Sequence, residues 1–236
     1  MDAMKEYAEQ WDSSGQYFYG KGYYKWMSKH VADYMTVVEV GCGTGYSTLA
    51  LVEEGHRVIA VEKNNDCIEK AKRLLEEKGK SDQVVFIFGD IAEEDLREEI
   101  VSNYQFDVVI CWNVGTYWSR EMMEYYLPHM LEYGLNRYQI RENPESSYGE
   151  LIIWETCRLA SQKGVPVHLI DRCGEEIQEI TDNYYVTLKD EFNYQCIEYD
   201  NEAATTVSGK GRVLTVDGQP DFSSIMNIIL ASITIK

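Results

Sequence analysis

Positive charge is what this sequence most lacks: 22 Lys and Arg stand against 40 Asp and Glu, a formal net charge of −18. Such a balance repels phosphate backbones and anionic bilayer surfaces, so neither nucleic acid nor membrane is an expected partner. Long apolar runs are missing too, and nothing approaches the roughly 20 residues that cross a bilayer. The first ten residues, Met1 to Gln10, are polar rather than signal-like, and the expected compartment is cytoplasmic by default. The six cysteines are spread out with no CxxC pair, which reads as reduced thiols and suggests no metal site. Histidine is scarce, and none of His30, His56, His129 and His168 sits in a pattern that marks a catalytic base, so no catalytic residue is assigned. The acidic runs Glu53-Glu54, Glu76-Glu77, Glu93 to Asp95 and Glu175-Glu176 read as solvated helix faces.

What is present is an alternation of short β-rich runs with helical patterns, the sign of parallel strands joined by crossover helices. Val37 to Val40, Val58 to Val61, Val84 to Phe88 and Phe106 to Cys111 are largely apolar, as strands covered on both faces should be. Between them Tyr46 to Glu54, Asp66 to Lys78 and Ala92 to Val101 read as helices. Asp66 to Lys78 is the clearest, with Ile68, Ala71 and Leu75 on one face, Asn65 as its cap and Gly79 as its stop. Farther on, Arg120 to Tyr133 and Glu150 to Gln162 read as helices, and the polar stretch Leu135 to Gly149, with Pro144 inside it, reads as a loop. Val165 to Ile170 is the fifth strand. The last third reads as antiparallel: Tyr184 to Leu188, Tyr194 to Tyr199, Arg212 to Val216 and Ile225 to Ile235, with a turn at Asp217-Gly218. At the other end Tyr7 to Trp26 is crowded with rings. These either cover one edge of the sheet or lie over a ligand.

The strongest local signal is Glu39-Val40-Gly41-Cys42-Gly43-Thr44-Gly45-Tyr46-Ser47, a buried strand entering a glycine turn that opens a helix. Glycine allows positive φ and close approach of a ligand to the backbone, and free amides at the helix start face what the turn holds. Glu62 ends the second strand 21 residues after Gly41, where a carboxylate can accept from both ribose hydroxyls. Gly89-Asp90 ends the third strand and Trp112-Asn113 the fourth, at the same carboxyl edge. Glu39 and Asp90 also admit a plain structural role as helix caps. A nicotinamide dehydrogenase is disfavoured, because the third glycine comes one residue early for G-x-G-x-x-G and position 46, where that fingerprint wants a small residue, is Tyr.

Together these residues resemble the class I S-adenosylmethionine-dependent methyltransferase family over about Val31 to Tyr117, with Phe106-Asp107-Val108-Val109 as the fourth-strand part of the pattern. The resemblance implies an α/β, three-layer Rossmann-like fold, with a mainly parallel seven-stranded sheet ending in an antiparallel hairpin. It implies S-adenosylmethionine as cofactor. The glycine turn (Gly41, Gly43, Gly45) would pass its methionine and ribose, Glu39 would lie near the methionine amino group, Glu62 would hold the ribose and Asp90 would meet adenine, with Cys42, Lys63 and Ile91 also among the cofactor-binding residues. Trp112 and Asn113 would complete the donor site. One domain is expected, divided into an aromatic cap (1–36), a cofactor half (37–118), an inserted helical or lid region (119–164) and a substrate-side half (165–236).

Candidate substrate contacts are Tyr117 and Trp118 after the fourth strand, Asp171 and Arg172 after the fifth, and Tyr19 and Tyr24 in the cap. The stretch Asn113-Val114-Gly115-Thr116-Tyr117-Trp118 lacks the Asn-Pro-Pro-Tyr pattern of base-methylating relatives. With the acidic charge, this favours a small-molecule acceptor, or a peptide or amine. An aminopropyltransferase of the same fold, or a non-catalytic module binding S-adenosylmethionine or S-adenosylhomocysteine, remains an alternative.

Overall fold

The backbone's alternating pattern closes into one seven-stranded sheet. The computed structural model describes residues 3–112, 119–209, 212–213, 215–216, 219–220 and 225–236. The strands are β1 (Thr36–Val40), β2 (Arg57–Glu62), β3 (Val84–Phe88), β4 (Val108–Trp112), β5 (Val167–Cys173), β6 (Ile197–Thr206) and β7 (Met226–Ile235), in the order β3-β2-β1-β4-β5-β7-β6. β7 runs antiparallel to both its neighbours, and the other pairings are parallel. The central strands read as apolar because both faces are covered: all five residues of β4 and four of five in β1 are buried. One buried cluster, on Val38, Val109 and Leu169, packs under the later helices, and a second, on Val37, Ile110 and Leu49, under the first ones.

The helices are α1 (Ala3–Gly20), α2 (Tyr23–Lys29), α3 (Tyr46–Glu53), α4 (Asn65–Glu77), α5 (Glu94–Asn103), α6 (Arg120–Tyr133), α7 (Arg137–Glu142), α8 (Pro144–Lys163) and α9 (Tyr184–Glu191). The stretch expected to be a loop, Leu135 to Gly149, is instead α7 and the first turns of α8. Asn136 caps α7 by accepting from the Gln139 N–H at 2.8 Å. Pro144 opens α8 rather than breaking it, because the first helical position has no use for an N–H.

Tyr184 to Leu188, expected as a strand, is α9. The Asp182 carboxylate accepts from the N–H groups of Tyr184 and Tyr185 at 2.9 Å each, and Tyr185 and Leu188 are buried one turn apart. The cap of α4 is Asn64 rather than Asn65, accepting from Asp66 and Cys67. The fifth strand runs from Val167 to Cys173, shifted past the expected end, and β6 begins at Ile197, past most of Tyr194 to Tyr199. Arg212–Val213 and Thr215–Val216 pair with different partners, Ser208–Gly209 and Gln219–Pro220, instead of forming one strand. The Asp217-Gly218 turn lies outside the described residues.

α8 is tied to the chain after β3 by a buried charge cluster. The Arg97 guanidinium donates to the Ile91 carbonyl at 2.7 Å and pairs with Glu155 at 3.2 Å, which Arg158 also contacts at 3.2 Å. Both Arg97 and Glu155 are under 5% exposed, so breaking one partner would strand the other's charge in the interior. Among the described residues no helix is long and apolar enough to cross a membrane, and no group of three or more potential ligands could hold a metal.

Candidate functional site

Sheet register sets the site. Val40 is level with Val61 of β2 and Cys111 of β4, and Glu62 is level with Phe88 of β3. The residues that follow, Gly41, Gly89 and Asp90, therefore leave the sheet at one edge together with Glu62 and Trp112, which is where open α/β sheets bind ligands. They surround one cavity. Gly41, Gly43 and Gly45 have φ of 75°, 53° and 88°, so the turn between β1 and α3 needs the conformations that only glycine takes freely. A Cβ at Gly45 would stand 2.7 Å from the Cβ and 2.8 Å from the Cα of Ala71, whereas one at Gly43 would meet nothing within 4 Å.

The acids fall on this frame in three ways. Glu62 lines the cavity and its carboxylate accepts from the N–H of Gly43 and of Asn64, each at 2.9 Å, while burial pushes its pKa up. Asp90 also lines it. One oxygen accepts from the Ala92 N–H at 3.0 Å; the other accepts from the Tyr148 hydroxyl and stands 3.8 Å from the Lys63 ammonium. That ammonium lies 3.8 Å over the Tyr148 ring, and burial lowers its pKa to about 8.

Glu39 is placed differently, for it stands behind the cavity wall rather than on it. It is 1% exposed, and its oxygens accept from the hydroxyls of Ser47 and, at 2.6 Å, Thr48. Glu39 thus ties β1 to the first turn of α3, and burial raises its pKa to about 7.

Cys42 and Ile91 line the cavity as expected, and so does Trp112. The Trp112 indole N–H donates to His168 Nδ1 at 2.7 Å, leaving the proton on Nε2 to bond Ser232 Oγ at 2.8 Å on β7. His168 is fully buried, its pKa lowered to about 3 by desolvation, so it is a neutral strut and not a base. Asn113, Tyr117 and Trp118 lie outside the described residues. Of the cap residues, Tyr24 lines the cavity, but Tyr19 does not: its hydroxyl donates to Glu53 at 2.8 Å, away from the site. Asp171 and Arg172 line a second cavity, described below.

Sequence reading missed several wall residues. Tyr7, Trp11 and Gly15 recur every four residues on α1 and all face the cavity, a spacing that was readable once the segment was taken as a helix. A Cβ at Gly15 would stand 2.9 Å from the Tyr46 ring, so this glycine lets α1 cross close over the turn. Tyr148 was hidden by reading its segment as a loop.

Glu39 and His168 give stability opposite pH dependences. His168, with its folded pKa depressed, contributes stability above about pH 6.5 that is lost as pH falls toward 3. Glu39, with its pKa raised, contributes stability below about pH 4.5 that is lost as pH rises through about 7. Urea midpoints followed from pH 4 to 8 should show the alkaline-side decline shrink in Glu39→Gln while the acid-side decline persists. An unchanged profile in that variant would remove Glu39 from the titration.

Parts of the chain resemble known proteins. Residues 37–133 match the methyltransferase domain family. The cypemycin N-terminal methyltransferase of a Streptomyces species is 35% identical over 91 residues, 38% of this chain and 33% of that protein. The ribosomal protein arginine N-methyltransferase of Schizosaccharomyces pombe is 35% identical over 69 residues, 29% of this chain and 13% of that protein. The chain therefore spans a third or less of the length of these curated relatives. Among solved structures, a SAM-dependent methyltransferase from Agrobacterium tumefaciens superposes over 91% of this chain and 61% of its own, with a TM-score of 0.52 and 14% identity, a likeness of fold.

Proposed function

We propose that this chain, a member of the class I S-adenosylmethionine-dependent methyltransferase family, moves a methyl group from S-adenosylmethionine to a small-molecule acceptor. A peptide acceptor is the second reading, favoured by the names of the two curated relatives, which act on a peptide terminus and on protein arginine. The observation that carries the proposal is the convergence of the glycine turn, the Glu62 carboxylate and the Asp90–Lys63 pair in one cavity beneath α1.

The cavity suits the donor. Gly43 leaves open the space that a side chain would occupy, and each Glu62 oxygen, having accepted one N–H, keeps a lone pair for a ribose hydroxyl. When bound, the donor supplies an electrophilic methyl group on a sulfonium; the acceptor's lone pair forms the new bond, and the carbon–sulfur pair stays on sulfur.

The residues supply position and dryness. Glu62 fixes the ribose, Asp90 and Lys63 mark the adenine end, and Tyr7, Trp11 and Tyr24 exclude water on the α1–α2 side. No histidine is among the described residues that line the cavity. Calorimetry on the whole chain tests this. S-adenosylmethionine and S-adenosylhomocysteine should both bind and NADH should not; failure of both sulfur ligands to bind would sink the proposal.

A further inference from the structure

A second cavity lies on the far side of α8. One helix separates the two spaces: Tyr148 and Ile152 face the first, while Gly149, Glu150 and Ile153 face the second. β4 reaches both, with Trp112 on the first and Cys111 on the second, and the ends of β5, Ile170 to Cys173, form the floor of the second. Both cavities lie along the carboxyl edge of the sheet, where open α/β folds bind ligands.

Its charge is one-sided. Among its described lining residues seven carboxylates face a single basic side chain, that of Arg172. The Arg172 guanidinium is engaged elsewhere, 5.3 Å from the ring centres of both Trp11 and Phe18 on α1. Several of the acids also have partners. Asp182 caps α9 and accepts from the Tyr199 hydroxyl, Asp171 accepts from the Tyr185 hydroxyl at 3.0 Å, and Glu142 pairs with Arg141 at 3.0 Å.

Glu150 differs from the exposed Glu175, which also lacks a side-chain partner among the described residues, in being withdrawn from water. It is half-buried, burial alone pushes its pKa up, and no hydrogen-bond donor or cation among the described residues reaches its carboxylate. The phenols of Tyr133 and Tyr184, which interact with each other, are its neighbours, with Tyr184 on the cavity wall. A carboxylate held partly out of water without a counter-charge is unfavourable, and a cation placed against it, with aromatic faces alongside, removes that cost.

We infer that the second cavity is the acceptor cleft and that it selects an acceptor bearing a cationic nitrogen group, with the Glu150 carboxylate as the counter-charge. This rests on the donor reading above. It narrows the acceptor class to ammonium or guanidinium compounds, whether carried by a small amine or by the free terminus or side chain of a peptide.

The experiment is calorimetry on the full chain saturated with S-adenosylhomocysteine. The probes are an aryl-ethylamine and its N-acetyl form, and an arginine-containing tripeptide with a free or acetylated amino terminus and a citrulline counterpart. The cationic member of at least one pair should bind about tenfold or more tightly than its neutral partner, and Glu150→Gln should erase that preference while leaving S-adenosylhomocysteine affinity unchanged. Preference in the amine pair identifies a small-molecule source, and preference in the peptide pairs a peptide source; either supports the inference. Equal binding within every pair, or a preference that survives Glu150→Gln, overturns it. Failure of S-adenosylhomocysteine to bind the unmodified chain instead overturns the donor reading, so the two failures are separable.

Discussion

Glu62→Ala should weaken S-adenosylmethionine binding by on the order of a hundredfold or more, since two charge-assisted bonds to the ribose are each worth about 1.5–3 kcal/mol. Part of the loss has another origin, because the same carboxylate accepts the N–H groups of Gly43 and Asn64 and so shapes the turn before any ligand arrives. Stranding those two donors should lower stability by about 1–3 kcal/mol. Glu62→Gln separates the contributions. It keeps an acceptor oxygen for the backbone and gives up the charge, so its urea midpoint should stay near that of the unmodified chain while affinity still falls by about tenfold. If calorimetry finds both variants as tight as the starting chain, Glu62 does not hold the ribose.

Gly45→Ala should destabilise the fold by about 2–5 kcal/mol, the sum of a left-handed alanine and a methyl group driven into close-packed backbone. The collision is with the Cα and Cβ of Ala71 on α4, which have no rotamer through which to retreat. Gly43→Ala, two residues away, should behave in the opposite manner. Its Cβ meets nothing within 4 Å and the residue lines the cavity, so the cost to stability is about 1–2 kcal/mol while donor affinity drops sharply. Urea denaturation and calorimetry on the pair measure both quantities. Equal losses of stability at the two positions would contradict the assigned packing.

The parallel core was readable because β1 to β4 are short, largely apolar runs bounded by turn residues. The places of Glu62 and Asp90 at the sheet edge were readable for the same reason, since Glu62 closes β2 and Asp90 lies two residues past β3. The segments that misled are those where tertiary context outweighs local preference. Tyr184, Tyr185 and Val186 have β-forming side chains, yet Asp182 caps them into α9 and the core takes Tyr185 and Leu188 from one face. Pro144 suggested a break, but its effect depends on whether it falls inside a helix or at its first position. Glu39 looked like a ligand residue because a strand carboxylate needs partners. It has them in Ser47 and Thr48, a contact that no spacing rule announces.

The helix between the two cavities has a bearing on how this protein could diverge or be redesigned. Ser146, Gly149, Glu150 and Ile153 face one space, Tyr148 and Ile152 the other, and the buried Arg97–Glu155 contact anchors the helix independently of either set. On the proposed assignment of the two cavities, changes to the first set can be sampled in combination without touching the residues that line the donor cavity, so a library restricted to those four positions would explore new acceptors on a constant platform.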